Sequence, residues 1–438
     1  MLNVRNLTPF SHITFVSALT PDQMTNVVVV KAQYLLKPST DPNPSRSFEL
    51  VHMKGSEEIY VTEEPFGELN KSSMRWESDL APCKPQCDVI VIGSAHSPTG
   101  RPTNQVSVGI DVDSADQRIL NHRLTVHGKR DFVRRDAFDR AAGAVLRVAS
   151  FRSVRRSEWY LSDSEPFIEM PIRYEEAFGG ELKIYPDDPS ADRLTEADRL
   201  TDDVRKKHPE GEAAPIAHRT CRTNPVGHGY VEPWHIRTTR ATRYPAPRIE
   251  SPSHPVTQEL FDALARSEIE SGSQPALLPQ GFGVISKPWQ PRLKLAGTYD
   301  DAWRRERWPH SPPDFNIAYW NGANPSMQCQ YLRGRERVTL MNLLPPHAPG
   351  TQRENDATFA RFQLPAVDAV LELRGESEPF VHLKMPIDTL TLDLEAMTVS
   401  LVWRTHIPES MGFKEASLVA TDLAELKMHP PRPSVPNS

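Results

Sequence analysis

The sequence predicts a mainly β (α+β) protein with large sandwich-like or barrel-like sheets, few short helices and many loops stiffened by proline. Short apolar runs rich in β-branched residues recur along the chain, and turn residues separate them about every eight to twelve positions. The 41 prolines outnumber the 21 glycines and are spread along the whole sequence. Because proline interrupts helix interiors, this spread favours many short elements over long helices.

Composition narrows the class of protein. The 438 residues are 38% hydrophobic and 25% charged, which is enough for a large core. A net charge of −6 does not suit nucleic-acid binding. No apolar run approaches the roughly 20 residues of a membrane span, residues 1–7 lack the pattern of a signal peptide, and only four cysteines are present. We therefore expect a soluble cytoplasmic protein without nucleic-acid or membrane partners.

Residues 1–165 are predicted to form an N-terminal β-rich lobe. The run at 26–36 is apolar and β-branched, as in a buried strand, and the shorter run at 89–92 has the same character. The remaining stretches alternate or mix apolar and polar residues, which indicates strands with one exposed face. The expected strands are 26–36, 47–54, 59–62, 89–92, 105–113, 118–130 and 147–161.

Residues 166–410 are predicted to form a C-terminal β-rich lobe with two additions. The stretch 185–215 carries nine acidic and five basic residues, which predicts a charged surface insertion that is partly helical at best. Apolar residues at helical spacing predict a helix at 257–271, and a second short helix is expected at 300–307. Strands are expected at 338–344, 369–373, 379–385, 390–394 and 399–403. Residues 411–438 are predicted to form a helix at 417–428 and a disordered proline-rich tail.

Charged and aromatic side chains crowd both ends of the predicted core strand at 89–92. Arg75, Trp76, Glu77, Asp79 and Lys84 precede this strand, and His96 and Arg101 follow it. Loops at the ends of a core strand often carry functional sites. One hypothesis is a hydrolase-like acid/base cluster that uses Glu77, Asp79 and His96. The alternative, which we favour because the sequence gives no sign of burial, is a set of salt bridges that fix the loops.

Metal and nucleotide sites find little support in the sequence. Cys83 and Cys87 have a C-x3-C spacing, and Cys221 with the histidines at 218, 228 and 235 could complete a set of zinc ligands. However, the histidines at 218–235 lack the tight paired spacing of a structural zinc site. No glycine-rich stretch matches a phosphate loop, and no G-x-S-x-G motif is present. We predict no metal and no cofactor.

Seven aromatic residues lie between positions 289 and 320, interleaved with four arginines. The aromatic residues are Trp289, Tyr299, Trp303, Trp308, Phe315, Tyr319 and Trp320, and the arginines are Arg292, Arg304, Arg305 and Arg307. Such a mixture is typical of a core corner or of a protein-binding surface. We expect the tryptophans to lie in the core and the arginine face to be available to a partner.

Seven segments resemble those of one bacterial family, in the same order and over residues 8–405. They are SSMRWESDLAPCKP with its following strand and AHSPTGRP, PFIEMPIRYEEAFGG, NPVGHGY, GFGVISKPWQPRLKLAGTYDDAW, PPDFN, YLRGRERVTLMNL and IDTLTLDLEAMTVSLVWR. The family was catalogued as a domain of unknown function and is regarded as a set of effector adaptors or chaperones of the type VI secretion system. The chain departs from it at 247–250, where Pro-Arg stands before Ile-Glu in place of the usual leucine-proline-asparagine, and in a longer middle region.

The resemblance implies a non-catalytic cytoplasmic protein. Such a protein would bind a cognate secreted toxin, often one with a proline-alanine-alanine-arginine repeat domain, and help to load it onto the valine-glycine repeat spike. No catalytic residues are carried over from the family. The other motif residues taken as candidate interaction residues are Arg173, Tyr174, Glu175, Asn224, Trp289, Arg292, Tyr299, Asp300 and Trp303. A structural accessory of the secretion apparatus is a further alternative.

Overall fold

The computed structural model describes residues 1–438 apart from 21–22, 42, 44, 56–57, 135–158, 267–277, 376–380, 422–427 and 430–438. The mainly β fold is confirmed, with one eight-stranded sheet, one six-stranded sheet and several smaller ones. None of these sheets closes into a barrel within the described part of the chain. The two large sheets contribute to a single hydrophobic core, as in a sandwich.

The eight-stranded sheet, called the main sheet below, is built around a strand of 16 residues, Gln23–Pro38. In order across the sheet the strands are Gln328–Cys329, Cys87–Ile92, Ile387–Asp393, Thr398–Pro408, Gln23–Pro38, Phe48–Met53 and Met428–His429, and Ser11–Thr20 also pairs with Gln23–Pro38. Side chains alternate between the two faces, so Val28 and Val30 enter the main core while Val27 and Val29 lie on the opposite face. A strand that is covered on both faces explains the continuous apolar run in the sequence.

The six-stranded sheet supplies much of the rest of the core. Its strands are, in order, Ile249–Glu250, Arg118–His127, Gln105–Asp113, Arg337–Met341, Ala357–Gln363 and Gln352–Glu354. Val108, Ile110, Val338 and Phe362 are fully buried and belong to the same cluster as Val28. Both large sheets combine strands from before and after residue 165. The predicted division at that residue therefore does not coincide with a boundary between sheets or cores.

Smaller elements surround this core. A four-stranded sheet has the order Asn3–Asn6, Glu415–Ala420, Ala369–Arg374 and Val381–Lys384, and a three-stranded sheet has the order Trp159–Leu161, Asp131–Arg134 and Arg243–Pro245. The two-stranded pairs are Ser94–His96 with Glu169–Pro171, Phe178–Gly179 with His228–Gly229, Glu181–Ile184 with Ala217–Thr220, and Glu64–Pro65 with Met74–Trp76. The α-helices are Asp202–Lys206, Pro233–Thr238, Gln258–Arg266, Gln290–Leu293 and Asp301–Glu306. Short 3-10 helices are Tyr174–Glu176, Pro189–Arg193, Glu196–Asp198, Gly211–Ala213, Ile317–Trp320, Pro325–Met327 and Glu409–Met411.

Most predicted elements are confirmed, and two are wrong. Residues 59–62 form no strand, because Tyr60 exchanges backbone and carboxylate hydrogen bonds with Asp79 in a loop. The helix predicted at 417–428 is wrong for 417–420, which lie in the strand Glu415–Ala420 with Ala416 and Leu418 buried. The charged insertion 185–215 contains short helical turns, as predicted.

Parts of five predictions fall outside the described residues. They are the start of the strand at 147–161, the end of the helix at 257–271, the start of the strand at 379–385, positions 422–427 of the helix at 417–428, and the tail after residue 429. The described helix at the second of these positions is Gln258–Arg266, with nine residues. None of the described helices is long and apolar enough to cross a membrane.

Candidate functional site

A loop-rich segment, residues 58–86, covers the face of the main sheet that carries Lys31. Side chains from this cover, including Tyr60, Trp76 and Asp79, face sheet residues such as Thr391 across a small internal space. The hairpin of Glu64–Pro65 and Met74–Trp76 shapes part of the cover. The cover carries five of the charged and aromatic residues that the sequence singled out.

Glu77 and Lys84 of the cover form a chain of ion pairs with Asp88 of the main sheet and with Arg292. The Lys84 ammonium nitrogen lies 3.2 Å from a Glu77 carboxylate oxygen and 2.7 Å from an Asp88 oxygen. The Arg292 guanidinium lies 2.6 Å from the second oxygen of Glu77. Arg292 also donates to the carbonyl oxygens of Ile285 and Tyr319, both at 2.9 Å. All four charged side chains are at most 7% exposed.

The carboxylate of Asp88 is held further by the segment at 321–323. It accepts hydrogen bonds from the Asn321 side chain at 2.9 Å and from the backbone N–H groups of Gly322 at 2.8 Å and Ala323 at 3.2 Å. A Cβ atom on Gly322 would lie 2.3 Å from a Glu77 oxygen. Glycine is therefore required here because the backbone approaches the buried carboxylate so closely.

Two further ion pairs extend this cluster along the main sheet. Lys31 donates to the Asp79 carboxylate at 2.8 Å, and that carboxylate also accepts the Tyr60 N–H. Arg404 donates to Asp388 at 2.5 Å and to the carbonyl oxygens of Asp79 and Ala81 at 2.6 Å. We call the whole set the buried charge network; it consists of Lys31, Lys84, Arg292 and Arg404 with Glu77, Asp79, Asp88 and Asp388. Its four cations balance its four anions.

The charges of the network set one another's protonation. Burial alone would raise the pKa of Glu77, but Lys84 and Arg292 outweigh burial and lower it to about 2. Burial alone would lower the pKa of Lys84, but Asp88 and Glu77 raise it above its ordinary value. The pKa of Lys31 is lowered because burial outweighs the attraction of Asp79. Glu77 and Lys84 are thus held as ions throughout the neutral range.

The stability of the fold is expected to fall in acid because of Glu77. Its pKa is about 2 in the folded chain against the ordinary 4.5, so its contribution is complete above about pH 4.5 and is lost as the pH falls towards about 2. The difference corresponds to about 3 kcal/mol of unfolding free energy. Urea unfolding across this range should show a flatter acid dependence in Glu77→Gln than in the wild type. Glu68→Gln, at an exposed carboxylate, serves as the control. Parallel curves for wild type and Glu77→Gln would contradict the assignment.

The space inside the buried charge network is too small for a substrate. The cavity lined by Lys31, Glu77, Asp79 and Lys84 has a volume of about 20 Å³, roughly that of a single water. Small-molecule sites usually measure hundreds of cubic ångströms. Within the described residues, no group of three or more His, Cys, Asp or Glu side chains is placed to hold a metal ion. The arrangement therefore fixes the cover to the sheet and leaves no room for a ligand among these charges.

His96 and Arg101 do not join this network in the described part of the chain. His96 lies in the strand Ser94–His96, is paired across the sheet with Glu169, and donates its backbone N–H to Asn342. Burial lowers the pKa of His96, and Glu169 opposes this shift. Arg101 lies in the following turn, where its carbonyl accepts the Ser97 hydroxyl at 2.6 Å. The hydrolase-like hypothesis requires His96 beside Asp79, and the structure shows no contact between them.

The motif residues Arg173, Tyr174 and Glu175 attach a second segment to the cover. Glu175 accepts hydrogen bonds from the backbone and hydroxyl of Ser73 at 2.8 and 2.7 Å. The Arg173 guanidinium lies 2.8 Å from Glu395 and 3.8 Å from the centre of the Phe66 ring. These contacts give the motif a structural role.

Arg75, Asn224 and Trp289 complete this attachment. Arg75 pairs with Asp393 and Glu395 of the main sheet hairpin at 2.7 and 2.9 Å. The Asn224 side chain donates to the carbonyl oxygens of Tyr174 and Phe178, and the Tyr174 ring packs edge-on against Trp289. Trp289 is buried, as predicted for a core tryptophan.

The other aromatic residues of the stretch at 289–320 lie at the surface. We call Tyr299, Trp303, Trp308, Phe315, Tyr319 and Trp320 the aromatic surface; all six are half-buried or exposed. The core prediction is thus wrong for three tryptophans, because neither the helix Asp301–Glu306 nor the 3-10 helix Ile317–Trp320 buries any of its residues, and Trp308 is 69% exposed. Conversely, the interface prediction is wrong for Arg292, which is 3% exposed. Arg304 and Arg305 are exposed.

Contacts within the stretch hold these rings in place. Tyr299 and Trp303 pack edge-on with centroids 4.7 Å apart, and Asp300 caps the helix Asp301–Glu306 by accepting the Trp303 N–H. The Trp303 indole N–H donates to the His310 carbonyl at 2.8 Å. Thr298 donates its backbone N–H and hydroxyl to Asp314, which joins the two halves of the stretch. The result is an ordered surface rich in exposed aromatic area.

A separate cleft of about 780 Å³ lies beside the loop 331–337. Gly334 and Arg335 have φ angles of +83° and +70°, and the buried Glu336 carboxylate accepts the Arg333 N–H at 2.7 Å. The cleft contains none of the residues singled out around the strand at 89–92.

Comparison with known protein families gives a match that covers most of the chain. A family model described as "Uncharacterized protein conserved in bacteria (DUF2169)" matches residues 22–404. The chain belongs to this family. Its matched range contains the whole buried charge network and the aromatic surface. Neither a curated protein nor a solved structure matches the chain.

Sequence reasoning missed half of the buried charge network. It singled out Glu77, Asp79, Lys84 and Arg292, but not the members that sit in strands, namely Lys31, Asp88, Asp388 and Arg404. The available signal was a charged residue inside or beside an apolar β-branched run. Such a residue is expected to have a buried partner.

Proposed function

We propose that this member of the family is a non-catalytic adaptor or chaperone of the type VI secretion system. It binds a cognate toxin in the cytoplasm and promotes the loading of that toxin onto the spike complex. The class of partner rests on the resemblance of the seven sequence segments to the adaptor family. Family membership over residues 22–404 supports reading those segments as one domain.

The observation that carries the proposal is the aromatic surface. Tyr299 is 56% exposed and Trp308 is 69% exposed, and Leu293 and Ile317 nearby are also exposed. Exposed aromatic residues next to arginines are the composition of binding hot spots. A partner that binds tightly would bury about 1,000 Å² or more of surface in the complex. The six rings and their flanking side chains would form the centre of that interface.

The buried charge network supports the proposal by giving this surface a rigid base. Arg292 lies in the helix Gln290–Leu293, which leads into the aromatic surface, and it is tied to Glu77 and to the Tyr319 carbonyl. Asn321, which follows the stretch, is tied to Asp88. Both ends of the stretch are therefore anchored to the cover and the main sheet. A surface fixed in advance loses less entropy on binding.

A hydrolase-like enzyme that uses Glu77, Asp79 and His96 is the second hypothesis, because these residues lie at the two ends of the buried strand Cys87–Ile92, where functional loops are common. Asp79→Asn separates the two. If the role of Asp79 is to pair with Lys31 and with the backbone of Tyr60, the Asp79→Asn variant should lose about 3 kcal/mol of unfolding free energy. Toxin binding by the fraction that stays folded should be unchanged. A hydrolytic activity in the wild type that Asp79→Asn abolishes without a loss of stability would favour the enzyme instead.

Deletion of the gene tests the adaptor role in the cell. We expect one toxin, encoded beside this gene, to become unstable or to remain unsecreted while other effectors are secreted normally. Loss of secretion of all effectors would point to a structural accessory of the apparatus. Normal levels and secretion of every effector would contradict the adaptor proposal.

A further inference from the structure

Two cysteines face each other across the edge of the main sheet. The two-residue strand Gln328–Cys329 pairs antiparallel with Cys87–Ile92, and the register places Cys329 directly opposite Cys87. Residues directly opposite in an antiparallel pair have Cα atoms about 4.5–5.5 Å apart. A disulfide requires a Cα separation of about 4.4–6.8 Å. The backbone therefore already holds the two residues at bonding range.

The side chains of this pair are also near one another. The Cys87 thiol donates to the Asp88 carbonyl oxygen at 3.7 Å, and burial together with the nearby Cys329 thiol raises the pKa of Cys87. Both are free thiols, with Cys87 fully buried and Cys329 6% exposed. Cys221 lies elsewhere in the fold, in the turn after Ala217–Thr220. Cys83 is buried in the cover, where Arg404 and Asp388 are its charged neighbours.

We propose that Cys87 and Cys329 form a reversible cross-strand disulfide when the chain meets a small disulfide oxidant such as glutathione disulfide. The thiolate of Cys329, the more exposed of the two, attacks the oxidant, breaks its S–S bond and releases one glutathione thiolate. Cys87 then attacks the Cys329 sulfur of the mixed disulfide and releases the second glutathione. The protein loses two protons and two electrons in total, and the oxidant takes them up as it is reduced to two glutathione thiols.

The disulfide would tie the short edge strand Gln328–Cys329 covalently to the neighbouring strand of the main sheet. Gln328–Cys329 pairs through two residues only, and it directly follows the 3-10 helix Pro325–Met327. Because Cys329 is 6% exposed, the reaction requires local opening of this two-residue strand, which gives an oxidant access to the thiol. Because the thiolate is the attacking form and burial disfavours it at Cys87, oxidation is expected to be slow at neutral pH and faster in mild alkali. Closing the bond cross-links positions far apart in the sequence and should raise the melting temperature.

The experiment uses the purified, reduced full chain incubated with glutathione disulfide in mild alkali and then alkylated and digested for peptide mapping. We expect one intramolecular disulfide that joins Cys87 to Cys329, a mass lower by two hydrogens, and a rise in melting temperature that dithiothreitol reverses. Cys329→Ser should show no such rise. The matched variant Cys221→Ser should retain it.

Three results would overturn the proposal. One is a disulfide that joins Cys87 to Cys83 instead of Cys329. Another is a stable mixed disulfide with glutathione at Cys329 that Cys87 does not resolve. The third is two free thiols at Cys87 and Cys329 after the incubation. Peptide mapping of the wild type decides among these outcomes even if Cys329→Ser fails to fold.

Discussion

Replacing Lys84 by methionine is expected to destabilise the fold by about 3–5 kcal/mol, the usual cost of removing one partner from a buried ion pair. Lys84 lies within 3.2 Å of Glu77 and 2.7 Å of Asp88, and its side chain is 3% exposed. Without its ammonium group two buried carboxylates lose a shared cation, and only Arg292 and the N–H donors at 321–323 remain to hold them. The measurement is the free energy of urea unfolding, followed by tryptophan fluorescence.

Lys71→Met provides the matched control. Lys71 pairs with Glu68 at 2.6 Å, but its side chain is 75% exposed, so the loss should stay within about 1 kcal/mol. A Lys84→Met variant as stable as Lys71→Met would contradict the claim that the buried charge network holds the cover on the main sheet.

Under the proposed adaptor function, removing the two most exposed rings of the aromatic surface is expected to weaken binding of the toxin most. Hot-spot aromatic residues contribute about 2 kcal/mol or more each, so Tyr299→Ala and Trp308→Ala should each raise the dissociation constant by about 30-fold or more. Both side chains are largely exposed, at 56% and 69%, so their loss should leave the melting temperature nearly unchanged. Isothermal titration calorimetry with the purified toxin measures the first effect, and differential scanning calorimetry measures the second.

Tyr160→Ala is the matched aromatic control. Tyr160 is 38% exposed and lies in the strand Trp159–Leu161, away from the aromatic surface. Its removal should leave toxin affinity within a factor of about two, as for most residues outside a hot spot. Equal losses of affinity for Tyr160→Ala and Tyr299→Ala would show that the binding surface lies elsewhere.

Strand periodicity made most of the fold predictable. The runs at 26–36 and 390–394 are apolar because both faces of the main sheet are covered, and each became a strand at nearly the expected bounds. The error at 59–62 arose because an apolar-looking run was held in a loop by Asp79, a tertiary contact that no local pattern encodes. The error at 417–420 has a similar origin. Pairing with Ala369–Arg374 made a strand of a segment with helical spacing.

The candidate site was only partly predictable for the same physical reason. Glu77, Asp79 and Lys84 are close in sequence, so their grouping was visible, but their burial depends on strands up to 325 residues away. Lys31 and Arg404 could be paired with them only once the sheet order was known. The exposure of Trp303 and Trp308 depends on how short helices pack, and large aromatic residues are normally expected inside.

The most direct test of the proposed function is co-expression of this chain with the product of the neighbouring gene, the toxin that the proposal expects, followed by size-exclusion chromatography. We expect the two proteins to elute together as one complex. The doubly substituted chain Tyr299→Ala with Trp308→Ala should elute separately from the toxin while it keeps its melting temperature. Separate elution of the wild-type chain and the toxin would contradict the adaptor function, and co-elution of the double variant would contradict the role of the aromatic surface.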